Sequence, residues 1–418
     1  MESTPKSLRL HLAVCGRINA GKSTLFNLIA GQDSAITSPE RGTTTDAVEK
    51  AMELRPLGAV LLLDTAGIDD DSVLGSQRMD KTRLAIDRAD AILLVSAPGV
   101  YGEPEKLIAR MAGERKIPLI NVVNTPSGSA GESSSCAAEN REDTPAITVC
   151  AADRSARDRF LDALTGELLK LLPESRLTPP MLNDLFPENS LVVLMTPVDS
   201  QAPKGRLILP EVMAIRDILD GHSQVVVARE DAFPEIYRKL AVTPALAVCD
   251  SQVVDKLIAA TPPEIPQTTF SILMSRLKGD INEFASGCAA IETIRENDEI
   301  LIAEGCTHHA ADNDIGKVQI PRLLKKKCGG KLRFTFTAGM DYPADLAKYK
   351  LIIHCGACML NRRTILNRLQ LSRRAGVPVC NYGMCIAACR GVIRQVLSPF
   401  PDALKKYVNT LDKLSNRM

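Results

Sequence analysis

The chain has 418 residues, 45% hydrophobic and 24% charged, and a formal net charge of +1. That length can hold two to four domains of ~100–200 residues, and a charge this near zero gives no general pull toward nucleic acid or a membrane surface. Trp is absent and aromatics make up 4%, which argues against base-stacking platforms for single strands, and no apolar run reaches the ~18–20 residues of a membrane span.

The N-terminus, "MESTPKSLRLHLAVCG", shows no signal-peptide pattern and enters a strand almost at once, so a cytoplasmic protein is expected. Twelve cysteines are many for that compartment, where they serve more often as ligands, catalysts or small buried hydrophobes than as disulfides. From residue 7 to about 175, the runs "LRLHLAVCG", "GAVLLLDTAG", "DAILLVSAPG", "IPLINVVN" and "PAITVCAA" alternate with helix-length segments. Apolar runs of this kind read as strands buried on both faces, giving a parallel, doubly wound α/β domain over 1–175. A Ser/Gly/Ala-rich loop is expected over 125–145.

The first strand runs into Gly16-Arg-Ile-Asn-Ala-Gly21-Lys22-Ser23-Thr24, a G-x-x-x-x-G-K-[ST] loop followed by the helix-forming "STLFNLIAG". Glycines such as Gly16 and Gly21 let the backbone wrap phosphates, and N–H groups through Asn19, Ala20 and Thr24 complete the anion cradle. Lys22 would reach the β- and γ-phosphates and Ser23 would hold Mg²⁺. Further on, "GTTTD" (42–46) lies in a polar loop, and Asp64-Thr65-Ala66-Gly67 ends an apolar strand. Asp64 can support the Mg²⁺ shell and Gly67 can touch the γ-phosphate.

Together these elements resemble the Era-like branch of the translation-factor-related GTPases. The resemblance implies Thr44 as the switch threonine on Mg²⁺, Asn19 as a mark of potassium stimulation, and slow intrinsic hydrolysis, because Ile68 follows Gly67 where Ras-like enzymes carry glutamine. The family's Asn-Lys-x-Asp base motif is reduced to Asn124-Thr125-Pro126-Ser127, so the carboxylate that reads guanine is missing. Val149-Cys150-Ala151 still resembles the last nucleotide loop. GTP is expected, with ATP or relaxed specificity as the alternative.

"SRLTPPMLNDLFPENS" reads as a Pro-containing linker. A small α/β unit is expected over 183–270 from "SLVVLMTPVD", "SQVVVARE" and "PALAVCD", and a second parallel sheet over 271–418 from "DEILIAEGC", "KLRFTFTAG", "YKLIIHCGAC" and "VPVCNYG". Two of the latter end in ligand groups: Cys306-x-His308 and, 46 positions on, His354-Cys355-x-x-Cys358. In an open parallel sheet the carboxyl ends of strands gather ligands, so the two exits can converge. An iron–sulfur cluster on Cys306, Cys355 and Cys358, a closed zinc site, a redox C-x-x-C and scattered core cysteines all fit the spacing. Cys15, Cys150 and Cys249 read as small core residues, as do Cys385 and Cys389 at i, i+4 on one helix face.

A GTPase followed by C-x-H…H-C-x-x-C, with "APKGRLILPEVMAIRDILD" (202–220) between, resembles the maturation GTPases of [FeFe]-hydrogenase, the HydF family. The resemblance implies a GTPase domain, a dimerisation domain and a C-terminal cluster domain. It implies a [4Fe–4S] cluster on Cys306, Cys355 and Cys358, with His308 and His354 as candidates for a displaceable fourth ligand. It implies a homodimeric scaffold that receives a two-iron precursor from radical-SAM maturases and delivers it to apo-[FeFe]-hydrogenase. An Era-like regulatory GTPase with a structural zinc site is the alternative.

Overall fold

The computed structural model describes residues 4–31, 48–68, 73–126, 144–172, 180–197, 207–306 and 314–416. The threonine loop with Thr44, the loop around Cys136, Lys204 to Arg206, and His308 lie outside the described residues. The chain divides into two compact units, Met1–Pro179 and Pro180–Met418.

The first unit is built on a six-stranded sheet in the order β2-β3-β1-β4-β5-β6. Its strands are β1 (Leu10–Gly16), β2 (Glu49–Leu54), β3 (Gly58–Asp64), β4 (Ala91–Ser96), β5 (Leu119–Asn124) and β6 (Ala146–Val149). The helices are α1 (Lys22–Ala30), α2 (Val73–Arg88), α3 (Glu103–Arg115) and α4 (Arg157–Leu171). All pairings are parallel except β2 with β3. Each apolar run has a physical reason: alternate residues of β1 and β4 feed two separate cores, Leu12, Val14, Leu93 and Val95 on one face and Ala13, Cys15, Ile92 and Leu94 on the other. Crossover helices cover both faces, so the strands are apolar throughout rather than alternating. The edge strand β2, "EKAMEL", carries no such signal because it is only partly buried, with Leu54 alone fully inside.

The second unit holds two four-stranded, all-parallel sheets. One runs β10-β9-β7-β8, from β7 (Leu191–Thr196), β8 (Gln224–Arg229), β9 (Leu246–Cys249) and β10 (Gln267–Thr269). The other runs β12-β11-β13-β14, from β11 (Glu299–Ala303), β12 (Arg333–Thr337), β13 (Leu351–His354) and β14 (Val379–Asn381). One continuous apolar core joins both sheets through the helices Phe270–Lys278 and Ile281–Cys288. The stretch read as a linker is part of this unit from residue 180. Met181, Leu182 and Phe186 are buried in its core, and the Asp217 carboxylate accepts the backbone N–H groups of Met181, Leu182 and Asn183. A turn whose donors are satisfied by a helix side chain packs where Pro-rich composition suggests a tether. No described helix is long and apolar enough to cross a membrane.

Candidate functional site

In the first unit the phosphate loop leaves β1 and turns into α1. Gly21 sits at φ 89 as the N-cap of α1, and a Cβ there would lie 2.0 Å from Asn124 Nδ2. Only glycine fits both demands. Asn19, exposed at the loop tip, also has positive φ (63), which asparagine tolerates. Lys22 is 8% exposed, and its Nζ donates to Arg17 O at 2.6 Å, folding the ammonium back over the loop. Ser23 and Thr24 are exposed on the first turn of α1. Ser23 Oγ stands 3.5 Å from Asp64 Oδ2. The other Asp64 oxygen, Oδ1, is buried without a hydrogen-bond partner in the protein. Burial raises the Asp64 carboxyl above its ordinary value against the opposing charge of Lys22. A buried carboxylate oxygen left unsatisfied beside a serine hydroxyl fits the shell of a hard, oxygen-seeking cation, and Mg²⁺ would be held there. Gly67 lies against the loop so closely that a Cβ would fall 2.7 Å from Ile18 N.

Asn124 ties the two nucleotide loops together. Its Nδ2 donates to Ala20 O at 3.2 Å, and its Oδ1 accepts Ala151 N at 3.0 Å. Thus Gly16, Asn19, Ala20, Gly21, Lys22, Ser23, Thr24, Asp64, Gly67, Asn124, Cys150 and Ala151 come from four strand exits of one sheet. One contact escaped the sequence reading. Arg17 makes a bidentate ion pair with Glu105 of α3, at 2.7 and 2.8 Å, and Glu105 is 1% exposed. It locks the phosphate loop to a neighbouring helix across 88 positions of sequence, a distance no local motif spans.

In the second unit, β11 and β13 are adjacent, with Ala303 paired to His354. Cys306 follows the first strand and Cys355 the second, so both exits open at the same sheet end. Cys355 Sγ accepts Gly305 N at 3.0 Å and Ala357 N at 3.3 Å, stitching the two exits together, and Ala357 turns the chain at φ 55 toward Cys358. The three sulfurs sense one another electrostatically. Burial pushes the Cys355 thiol up to about 12 and Cys306 to about 11, and raises Cys358 as well. Thiols so placed ionise only when a cation compensates them, as a bound metal does. Two buried cations add to this. Lys278, 2% exposed, opposes the rise at Cys358, and Arg368, 4% exposed, interacts with Cys355.

Among the described residues no group of three or more His, Cys, Asp or Glu side chains is placed to hold a metal ion. Three thiols at two adjacent strand exits, one of them accepting two backbone N–H groups, are the residues that would hold an iron–sulfur cluster.

His354 is engaged within the protein. Its Nδ1 lies 3.0 Å from the Cys355 carbonyl and its Nε2 lies 2.9 Å from the Arg368 guanidinium, which can only donate. Both ring nitrogens are spent within the protein, the residue is 2% exposed, and burial beside Arg368 lowers its basicity to about 3. It is a neutral strut that positions Arg368. Arg368 in turn donates to Gly339 O at 2.6 Å and lies 4.7 Å over the Tyr342 ring.

Comparison with known proteins joins the two units. Residues 11–125 match the family described as 50S ribosome-binding GTPase, residues 181–279 the hydrogen maturase F dimerization domain, and residues 282–399 the hydrogen maturase F tetramerization domain. GTPase Der of Nostoc punctiforme is 38% identical over 130 residues, 30% of this chain and 28% of that protein. The tRNA modification GTPase MnmE of a Psychrobacter species is 38% identical over 106 residues, 25% of this chain and 23% of that one. The chain thus spans about a quarter of the length of these relatives. The structure of Aquifex aeolicus Era bound to GDP.AlF4⁻ aligns with a TM-score of 0.33 at 20% identity, over 55% of this chain and 98% of that one. A P-loop GTP hydrolase domain followed by both hydrogen maturase F domains places this chain in the hydrogen maturase F (HydF) family of hydrogenase-maturation GTPases.

Proposed function

We propose that the protein is a GTP-driven scaffold in [FeFe]-hydrogenase maturation. In this reading Cys306, Cys355 and Cys358 hold a [4Fe–4S] cluster, a two-iron precursor made by radical-SAM maturases docks on it, and the precursor passes to apo-hydrogenase. The observation that carries the reading is the convergence of two cysteine-bearing strand exits, with Cys355 Sγ accepting N–H groups from both. When bound, the cluster supplies an iron that no motif thiolate holds and that can bind an exchangeable ligand. The chain's own part is to orient three thiolates and to set Lys278 and Arg368 behind them as charge compensation. His308 and His354 are the histidine candidates for the fourth iron, His354 only by giving up its bond to Arg368. Transfer of ⁵⁷Fe-labelled precursor from this protein to apo-hydrogenase tests the reading: label that never reaches the hydrogenase overturns it.

In the nucleotide site, Lys22 stabilises the transferring phosphoryl group, and Ser23 and Thr44 hold Mg²⁺ with support from Asp64. Asn19, exposed at the loop tip, is the site of potassium action. Hydrolysis should run faster in potassium than in sodium at equal ionic strength, and Asn19→Ala should erase the difference. Equal wild-type rates in the two salts would remove the role of Asn19 alone.

Base selection should be relaxed. Asn124 is committed to Ala20 and Ala151, and no carboxylate follows it in the motif. A missing hydrogen-bonding partner of this kind is worth up to ~10⁴–10⁵ in selectivity, so GTP should be preferred over ATP by less than about 10⁴-fold in a competition assay. A larger ratio would mean that other groups read guanine.

Self-association as a homodimer fits the edge strand β8 of the middle sheet, whose Val227 is 41% exposed, alongside exposed Val212 and Leu219 on the helix Leu209–Asp220. Unpaired apolar edges of this type invite pairing across a two-fold axis. Light scattering should give at least twice the chain mass, and Val227→Lys should shift the population to monomer. A monomer at every concentration would refute it.

A further inference from the structure

The edge strands β10 and β14 of the second unit are buried throughout, whereas the edge strand β12, "RFTFT", is not. Among the described residues β12 pairs with β11 alone. Arg333 N donates to Asp298 O at 3.0 Å and Thr337 O accepts Glu304 N at 2.9 Å, so Arg333, Thr335 and Thr337 turn their backbone groups to β11. In a parallel ladder the N–H and C=O of one residue point the same way, and those of Phe334 and Phe336 therefore face the open edge. The two rings share one face of the sheet, with centroids 6.4 Å apart, and Phe336 is 41% exposed. Edges are commonly blunted by a charge or a proline in mid-strand. On β12 the charge is Arg333, at the first position, and the middle of the strand is left open.

Charge around this edge is of one sign. The whole chain carries a net charge of +1, yet the stretch from Ile315 to Met340 holds seven basic residues, between Lys317 and Arg333, and no acidic one. Lys325 Nζ lies 5.6 Å over the Phe334 ring, which sets the helix Ile320–Cys328 on the aromatic face of the strand. Lys325 and Lys326 of that helix are exposed, as are Lys331 and Arg333 at the start of β12. Lys327 is drawn off by an ion pair with Glu292 at 2.9 Å. The open edge thus runs beside a positive surface in a chain that is otherwise close to neutral.

We propose that the β12 edge docks an extended, acidic segment of a partner protein, which joins the sheet as a fifth strand. Unpaired N–H and C=O groups at strand spacing select a protein backbone, which neither a nucleic acid nor a lipid surface supplies. The positive surface selects acidic side chains on that segment, and exposed Phe336 gives an apolar one a seat. A second copy of this chain fits poorly, because it brings the same run of positive charge to the edge. The place of the edge gives the docking a purpose. β11, the neighbour of β12, runs into Cys306, and the Thr337–Glu304 bond lies two residues before that cysteine. An added strand would lie two strand spacings, ~10 Å, from β11, which holds the partner beside the cysteine corner. The inference rests on the scaffold reading, in which the docked protein loads or receives the precursor.

Full-length, cluster-loaded protein is measured by biolayer interferometry against apo-[FeFe]-hydrogenase and against each radical-SAM maturase, over a range of salt. At least one of them should bind, and bind more weakly as salt rises. In that complex, deuterium exchange at the Phe334 and Phe336 amides should slow by at least about tenfold. Affinity should fall by at least about tenfold in Phe336→Pro, and again in the double variant Lys325→Glu, Lys326→Glu. Proline at 336 removes a donor that faces the open edge, so the strand still forms. Bound iron and GTP turnover, measured alongside, should match the wild type. Unchanged affinity in both variants, protection confined to other segments, or no binding by any of these proteins would overturn the proposal. So would loss of self-association in Phe336→Pro by light scattering, which would make a second copy the occupant. Labelled iron that reaches the hydrogenase while both variants bind normally removes this inference alone; label that never leaves the wild type removes the scaffold reading, whatever the edge binds.

Discussion

Replacing Lys22 with alanine lowers GTP turnover by at least about 10²-fold, the loss that follows when one preorganised donor to the developing transition-state charge is removed. The lysine is 8% exposed, pinned to Arg17 O, and faces the half-satisfied Asp64 carboxylate. Its ammonium is therefore held in place before nucleotide arrives and costs little reorganisation. Cores on both faces of the sheet do not depend on it, so the variant should keep its far-ultraviolet circular dichroism spectrum. Arg17→Met is the companion test. It frees the loop from Glu105 but keeps Lys22, and should weaken nucleotide binding more than it slows turnover. Turnover in Lys22→Ala equal to wild type would show that the phosphate loop is not the catalytic site.

Removing any one of Cys306, Cys355 or Cys358 should reduce bound iron and sulfide by roughly tenfold or more, abolish hydrogenase activation, and leave GTP hydrolysis within about twofold, because Lys22 and Asp64 belong to the other unit. Cys355→Ser separates ligation from packing. A serine oxygen can still accept from Gly305 N and Ala357 N, so the strand exits stay tied while the soft ligand is lost. If Cys355→Ser retained full iron, the sulfur would be structural. Removal of His354 should act differently, by leaving Arg368 buried without its acceptor, so a loss of thermal stability is expected before any loss of iron.

Much of this was legible from local pattern. The phosphate loop is a contiguous motif flanked by a strand and a helix, and each of those three parts carries its own signal. The strands that were read are those buried on both faces; β2, polar and only partly buried at an edge, left no continuous apolar run to find. The segment from residue 180 was misread because Pro-rich composition signals a turn but not what satisfies it, and here Asp217 does. At the cysteine site the motif located the sulfurs through the parallel-sheet rule, while the fate of His354 depended on Arg368, 14 positions away on a packed helix. Lys278 and Arg368 read in sequence as ordinary charged helix residues, and only tertiary packing brings them beside the thiols.

Iron, sulfide and zinc analysis of the anaerobically purified full-length protein, with EPR of its dithionite-reduced form, tests the central claim most directly. The account predicts iron and sulfide in near-equal amounts, a signal from the reduced cluster that disappears in Cys306→Ala, and no stoichiometric zinc. One zinc per chain, with neither iron nor sulfide retained after reconstitution, would contradict it.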